Sequence, residues 1–109
     1  MPSVTNDAAG HRFVILDTDT PTGTIAGSSH YRDRDAERIF FHTEIDENFS
    51  GRGLAGALTS EALADTAAEG KIIVAVCPYV RTWLDTHDHQ FVWRKSTPDD
   101  LTWIKGELA

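Results

Sequence analysis

The sequence has a single cysteine, Cys77, so the chain cannot form an internal disulfide. It also lacks a long apolar run, because the longest, residues 72–77, is far below the roughly 20 residues that cross a bilayer as a helix. Residues 1–11 have neither the basic flank nor the apolar core of a secretory signal. These absences predict a cytoplasmic protein with no membrane partner.

Basic residues are few, since ten Lys and Arg stand against seventeen Asp and Glu for a net charge of −7. Nucleic-acid binding draws most of its affinity from a basic surface, so this balance argues against a nucleic-acid partner. It suits a cationic small molecule, although the same charge also serves solubility alone. A length of 109 residues predicts a single domain over 1–109, which we expect to be a monomer or a weak homodimer.

The first half of the chain has the pattern of an antiparallel meander. Aromatic and β-branched residues form three strand-like segments, at 11–16, 24–33 and 38–46. The connector at 17–23 is rich in Asp, Thr, Pro and Gly, and the one before 38–46 is a polar turn.

The second half changes period. Apolar residues recur at helical spacing over 54–69 and Gly70 supplies a C-cap, which predicts an amphipathic helix. The continuous apolar run at 71–76 is typical of a strand covered on both faces, and it should lie parallel to 38–46. A short helix at 79–87 and a last strand or extended segment at 89–94 follow, whereas the tail around Trp103 fits no single pattern.

A glycine fingerprint, Gly51-x-Gly53-x-x-Gly56, stands where the long helix begins. Backbone N–H groups at a helix start bind anions, and glycines allow a pyrophosphate to come close. A dinucleotide site is nevertheless disfavoured, because the preceding strand carries His42, Glu44 and Asp46 and no carboxylate follows the next strand to hold a ribose. A nucleotide triphosphate loop is excluded, because Ala57 and Leu58 occupy the positions of its Lys and Ser/Thr.

Three segments, HTEID, NFSGRGLAGAL and KIIVAVCPYV, resemble the GNAT superfamily of N-acetyltransferases. Their order and spacing are similar to a small single-domain branch with a Cys-Pro-Tyr-Val motif, over about residues 11–94. The family's phosphate loop, Gln/Arg-x-x-Gly-x-Gly/Ala, falls on Ser50 to Ala55, with Ser50 in place of the usual Gln or Arg.

The resemblance implies an α/β (α+β) fold with a mixed, mainly antiparallel sheet and helices on both faces. It also implies a bulge in the strand at 38–46 and a V-shaped splay between that strand and its parallel neighbour at 71–76. Larger members place two helices between their first two strands, and 17–23 is too short for any helix. We therefore expect an open acceptor side.

The resemblance further implies acetyl-CoA as cosubstrate and no metal. Its pantetheine arm would pair with backbone around Glu44 to Asp46, and its thioester would lie near Cys77. The implied cofactor-binding residues are Ile45, Asp46, Ser50, Gly51, Arg52, Gly53, Leu54, Ala55, Gly56 and Tyr79. Arg52, Arg81 and Lys95 are candidate partners of the 3′-phosphate of CoA, and each is equally understood as an ordinary surface cation.

Three residues are candidates for catalysis. Cys77 ends the apolar strand, so it is either a nucleophile or proton donor at the cleft or an inert buried thiol. His42 and Glu44 share one face of a strand and are candidate bases, Glu44 directly or through water, or they are simply polar face residues. In many larger family members a tyrosine protonates the departing thiolate, and Tyr79 is a candidate for this role by resemblance.

Two other groupings have plainer explanations. His87 and His89, with Asp85 and Asp88 nearby, lack a third metal ligand with supporting spacing, so we expect a solvated loop. The three tryptophans, Trp83, Trp93 and Trp103, lie on separate elements, and we expect them to pack in the core or at its edge.

The sequence thus predicts an acetyl-CoA-dependent N-acetyltransferase acting on a small amine or lysine-like acceptor. Two alternatives stay open. One is a non-catalytic acyl-CoA-binding or sensing module, and the other is an interaction domain that keeps the fold without its ligand.

Overall fold

The computed structural model describes residues 3–17 and 23–109, which form one six-stranded sheet and three α-helices. The strands are β1 (Ser3–Asp7), β2 (Arg12–Asp17), β3 (Thr24–Arg34), β4 (Glu37–Ile45), β5 (Ile72–Ala75) and β6 (Trp93–Lys95). The helices are α1 (Leu54–Ala68), α2 (Pro78–Thr86) and α3 (Pro98–Leu108). No helix in these described ranges is both long and apolar enough to span a membrane.

The strands lie in sequential order across the sheet, from β1 at one edge to β6 at the other. Neighbours from β1 to β4 are antiparallel, whereas β5 is parallel to both β4 and β6. The predicted mixed, mainly antiparallel sheet is confirmed, as are the meander and the parallel pairing of the strand before the glycines with the strand after the long helix.

One strand was missing from the prediction. β1 precedes the segment at 11–16, so that segment is the second strand, and the first two strands are joined by a 3-10 turn at Ala8–Gly10. The connector at 17–23 joins the second strand to the third, and its residues 18–22 lie outside the described ranges. Placing that connector between the first two strands was therefore wrong, although the turn that does join them is also too short for the two helices of larger family members.

Helices cover both faces of the sheet. The buried residues of α1 lie at helical spacing, with Leu54, Leu58 and Ala62 four residues apart, and they pack with those of α2 against one face. On the opposite face α3 places Ile104 against Ile39 and Val74. β5 is consequently enclosed between helices, which explains its uninterrupted apolar sequence.

Aromatic rings fill the core beneath α1. Phe13, Tyr31 and Phe40 lie on adjacent strands with ring centroids 5.3 to 6.2 Å apart, and Phe13 and Phe40 are fully buried. The tryptophans pack as predicted, with Trp83 in this core, Trp93 beside it, and Trp103 against the smaller cluster on the opposite face.

A bulge and an early strand end separate β4 from β5. His30 pairs with His42 but Tyr31 pairs with Phe40, so Phe41 is an extra residue in β4. The ladder with β5 stops at Phe40, whose carbonyl oxygen accepts bonds from the N–H groups of the next two residues after β5, at 3.0 and 2.9 Å. From Phe41 onward, the edge of β4 that faces away from β3 has no strand from the described chain beside it.

Gly27 on β3 allows β4 to come close at this end of the sheet. A Cβ at Gly27 would lie 2.7 Å from the Glu44 carbonyl oxygen and would also clash with the Ile45 side chain. We expect Gly27→Ala to lower the free energy of unfolding by about 1–3 kcal/mol, because β4 must shift to make room.

In α3, Gly106 has open space around it, so Gly106→Ala should raise stability by about 0.5–1 kcal/mol. Urea denaturation of both variants checks the two opposite signs.

Candidate active site

The loop before α1 leaves its helix start open. Gly51 and Gly53 have φ of +79° and +73°, a backbone conformation that favours glycine, and Gly53 is an N-cap without a capping side chain. The first backbone bond of the helix runs from Ala57 N–H to the Gly53 carbonyl at 3.3 Å. No partner within the described ranges accepts from the N–H groups of residues 54–56, so these amides present partial positive charge outward.

These amides open into a groove of about 290 Å³. Eight of the ten predicted cofactor-binding residues line it, namely Ile45, Ser50, Gly51, Gly53, Leu54, Ala55, Gly56 and Tyr79. Phe49 also lines the groove and was not predicted, because a lone aromatic residue in a polar connector gives no distinctive signal.

The other two predicted residues lie beside the groove. The carboxylate of Asp46 accepts from the Asn48 N–H at 2.9 Å and caps the 3-10 turn at Glu47–Phe49. The Arg52 guanidinium lies over the Phe49 ring, 5.4 Å from its centroid, and pairs with Asp17 at 3.4 Å. Half of the Arg52 side chain is exposed, so its charge faces solvent at the rim.

Tyr79, in the first turn of α2, reaches across to α1. Its hydroxyl would lie 3.9 Å from a Cβ placed on Gly56, so it borders the same open turn of helix as the free amides. The side chain is 41% exposed, which leaves the hydroxyl accessible to a bound molecule.

Cys77 lies where β4 and β5 separate. It is the N-cap of α2, only 5% exposed, and its backbone N–H is one of the two donors to the Phe40 carbonyl. Its sulfur lies 3.5 Å from the hydroxyl oxygen of Thr43, which was not predicted as a site residue. No hydrogen bond joins Cys77 to His42.

His42 and Glu44 are on the other face of β4. Alternation sends Thr43 and Ile45 toward α1 and α2, and it sends His42 and Glu44 to the opposite face. His42 Nε2 lies 3.4 Å from one Glu44 oxygen, and Nε2 of His30 on β3 lies 3.4 Å from the other. The hydrogen bonds from His30 and then His42 hold the pKa of Glu44 below its usual range.

Residues 12–92, well over half of the chain, match a family model described as GCN5-related N-acetyl-transferase. The chain belongs to this family. A GCN5-related N-acetyltransferase from Sphaerobacter thermophilus, known from a crystal structure, is similar over 57% of this chain with a TM-score of 0.50 and 21% identity. The match covers 19% of that protein, so this chain spans about a fifth of its length, and the similarity concerns the fold. No curated protein matches the sequence.

A second cavity, of about 320 Å³, lies over the ends of β3 and β4. Glu44 and Asp46 line it together with Arg12, and the guanidinium of Arg12 is already paired with Asp7 at 3.0 Å. The cavity is therefore lined by two carboxylates and by one guanidinium whose charge is balanced by Asp7.

The two histidines after α2 are not arranged as metal ligands. His87 stacks on Trp83 with ring centroids 4.3 Å apart, and His89 Nε2 lies 2.9 Å from the Leu84 carbonyl oxygen. As expected of a solvated loop, Asp85, His87 and Asp88 are exposed, although both histidines also stack with Trp83. Within residues 3–17 and 23–109 no three His, Cys, Asp or Glu side chains converge as a metal site.

Proposed function

We propose that the protein transfers the acetyl group of acetyl-CoA to the primary amine of a small or lysine-like acceptor. The observation that carries this proposal is the row of free amides at the start of α1, which opens into a groove instead of being capped. A pyrophosphate is a suitable ligand for such a site, because it accepts several backbone N–H bonds and is favoured by the helix dipole. The space around Gly51 and Gly53 lets it approach closely.

The rest of the cofactor would follow the free edge of β4. Ile45 lines the groove, and the unpaired edge of β4 continues from Ile45 back to Phe41. One path therefore joins the glycine-rich loop before α1 to the fork, which is the point at Cys77 where β4 and β5 separate. Amide groups of a pantetheine arm can bond to that edge as a strand would. Arg52, half exposed at the rim of the groove, is a candidate partner of the 3′-phosphate.

When bound, acetyl-CoA supplies an activated acetyl thioester. We assign His42 as the base that takes the proton from the acceptor nitrogen as that nitrogen bonds to the acetyl carbon. Glu44 is the weaker candidate, because a carboxylate is a poorer proton acceptor than an imidazole at neutral pH, and the hydrogen bonds from His30 and His42 lower its pKa further. Its role is to orient His42 and to stabilise the imidazolium that forms.

We assign the second half of the reaction to Cys77, as part of a Cys-Pro-Tyr-Val branch of the family. Its thiol lies at the fork next to the Thr43 hydroxyl, where it either gives its proton to the departing CoA thiolate or first accepts the acetyl group itself. Tyr79 is the less suitable proton donor, because its hydroxyl borders the first turn of α1.

Cys77→Ala should abolish turnover, to below about 1% of wild type, while leaving the affinity for CoA within about threefold. Calorimetry with CoA and a thiol-release assay measure the two quantities separately. Cys77→Ser is the matched variant, because a hydroxyl of similar size preserves packing but is a poorer acid and nucleophile. Normal turnover in Cys77→Ala would assign the thiol to core packing alone.

The acceptor should be cationic. Glu44 and Asp46 line the second cavity, and the chain carries a net charge of −7, so an ammonium group is favoured over an anion. Because only a short turn joins β1 to β2, the acceptor side of the protein lacks the helices that larger family members have between their first two strands.

The direct test mixes the protein with acetyl-CoA and a panel of polyamines, amino acids and lysine peptides, and follows thiol release and intact mass. We expect faster release with at least one amine, and an increase in mass by one acetyl group on the protein if Cys77 is the nucleophile. Binding of acetyl-CoA without release above the buffer rate would instead indicate a non-catalytic acyl-CoA-binding module.

A further inference from the structure

The proposed base, His42, shares its carboxylate partner Glu44 with a second histidine, His30. His30 and His42 are opposite each other on β3 and β4, just past the bulge, with ring centroids 5.6 Å apart. Glu44 lies between them and gives one carboxylate oxygen to each Nε2, both at 3.4 Å. Glu44 thus bridges two imidazoles of adjacent strands.

The charge of the carboxylate determines which ring nitrogens carry protons. An ionised carboxylate only accepts hydrogen bonds, so His30 and His42 must each present an Nε2–H to Glu44. In a neutral imidazole the lone pair is then on Nδ1. The basic atom of His42 is therefore Nδ1, directed away from the bridge.

His30 is the more firmly held of the two rings. Its side chain is 25% exposed, against 56% for His42, and it packs beside the Phe41 ring at 6.2 Å between centroids. Glu44 is 58% exposed, so contact with His42 alone would leave its long side chain free to change rotamer. His30 supplies the fixed partner.

The other charged groups on this face do not replace it. Arg12 on β2 lines the cavity beside Glu44, but its Nε donates to Asp7 and its Nη1 to the Ser28 hydroxyl. Arg32 on β3 lies over the Phe41 ring, 6.0 Å from its centroid. Asp46, of like charge, lines the same cavity and accepts from the Asn48 N–H.

We propose that His30 is a positioning residue that fixes the Glu44 carboxylate and, through it, holds His42 in the tautomer with Nδ1 free to accept the acceptor's proton. The proposal rests on the assignment of His42 as the base. It does not require contact between His30 and either substrate.

The test compares His30→Ala with His30→Gln, whose amide can still donate to Glu44. Nitrogen chemical shifts of the His42 ring, measured by NMR at about pH 8.5 where imidazoles are neutral, report its tautomer without substrate. We expect Nε2–H in the wild type and in His30→Gln, and a mixture of tautomers in His30→Ala. In His30→Ala, the kcat with the best amine should fall about tenfold while the KM for acetyl-CoA stays unchanged. In His30→Gln, most of the wild-type kcat should be restored.

His11→Asn is the control. It removes an imidazole from the β1–β2 turn, and Asn tolerates the left-handed backbone of that position, where φ is 54°. It should change neither readout. An Nδ1–H tautomer in the wild type, or equal His42 tautomers or equal kcat in His30→Ala, would overturn the proposal. If no amine is turned over, the proposed function fails by itself, and the tautomer comparison still decides whether His30 positions His42.

Discussion

Ala55→Glu is expected to weaken CoA binding about 100-fold and to leave helix α1 at least as stable as before. Residue 55 is in the first turn, among the free amides that line the groove. A carboxylate there repels the diphosphate by about 3 kcal/mol at 5 Å and an effective dielectric constant near 20. The same charge is favourable for the helix dipole, so binding and stability should change independently.

Ala57→Glu is the matched control for this variant. It adds the same charge to the same helix at an exposed position that does not line the groove. Calorimetry should give it a Kd for CoA within about threefold of wild type, because exposed charges are strongly screened. Equal losses in both variants would mean that only net charge matters, and no loss in Ala55→Glu would remove the diphosphate from the α1 start.

Asp100→Ala is expected to lower the free energy of unfolding by about 3 kcal/mol, because Arg34 and Arg94 lose their buried carboxylate partner and keep only the more exposed Glu37. Asp100 is 1% exposed and accepts hydrogen bonds from Arg34 and Arg94 and from the Thr97 backbone N–H and hydroxyl. The change also removes half of the capping box of α3. Urea denaturation measures the loss.

Asp100→Asn and Asp99→Ala complete the experiment. Asn keeps an acceptor for the helix cap but not the charge, so we expect a loss of about 2 kcal/mol. Asp99 is exposed in the same turn, so Asp99→Ala should lower the free energy of unfolding by less than about 1 kcal/mol. A loss in Asp100→Ala no larger than in Asp99→Ala would show that the network contributes little.

The same carboxylate predicts a dependence on pH. Hydrogen bonds, first from Arg94 and also from Arg34 and Thr97, hold the pKa of Asp100 well below its usual range. A lowered folded-state pKa stabilises the fold above the unfolded value of about 4, and this contribution is lost as the pH falls below it. Wild-type stability should therefore decrease more steeply than that of Asp100→Ala between about pH 4 and pH 2.

The sequence predicted the elements whose pattern reflects burial. The run at 71–76 contains β5, which is apolar throughout because helices cover both of its faces, and the period of 54–69 reflects the packing of α1 on one side. β1 was missed because its sequence SVTND has a single apolar residue, Val4, and pairs along only one edge. α3 was missed because its start is stabilised by polar contacts of Thr97 and Asp100, which have no hydrophobic period.

The candidate site likewise has a part that the sequence predicted and a part that it did not. The groove lining was predictable because a contiguous glycine-rich segment supplies most of it, and local sequence fixes its backbone. His30 and Thr43 could not be predicted, because their contacts with Glu44 and Cys77 depend on strand register and on the bulge at Phe41. A shift by one residue would send either side chain to the other face.

The most direct test of the central claim is a titration of the ¹⁵N-labelled protein with CoA, followed by amide NMR. The account predicts that the largest shifts fall on the N–H groups of Gly51, Gly53, Leu54, Ala55 and Gly56, with smaller changes along Phe41 to Ile45. Amides of the first turn of α1 that stay unmoved at saturating CoA, with shifts gathered instead around the separate cavity at Lys71 and Phe91, would contradict it.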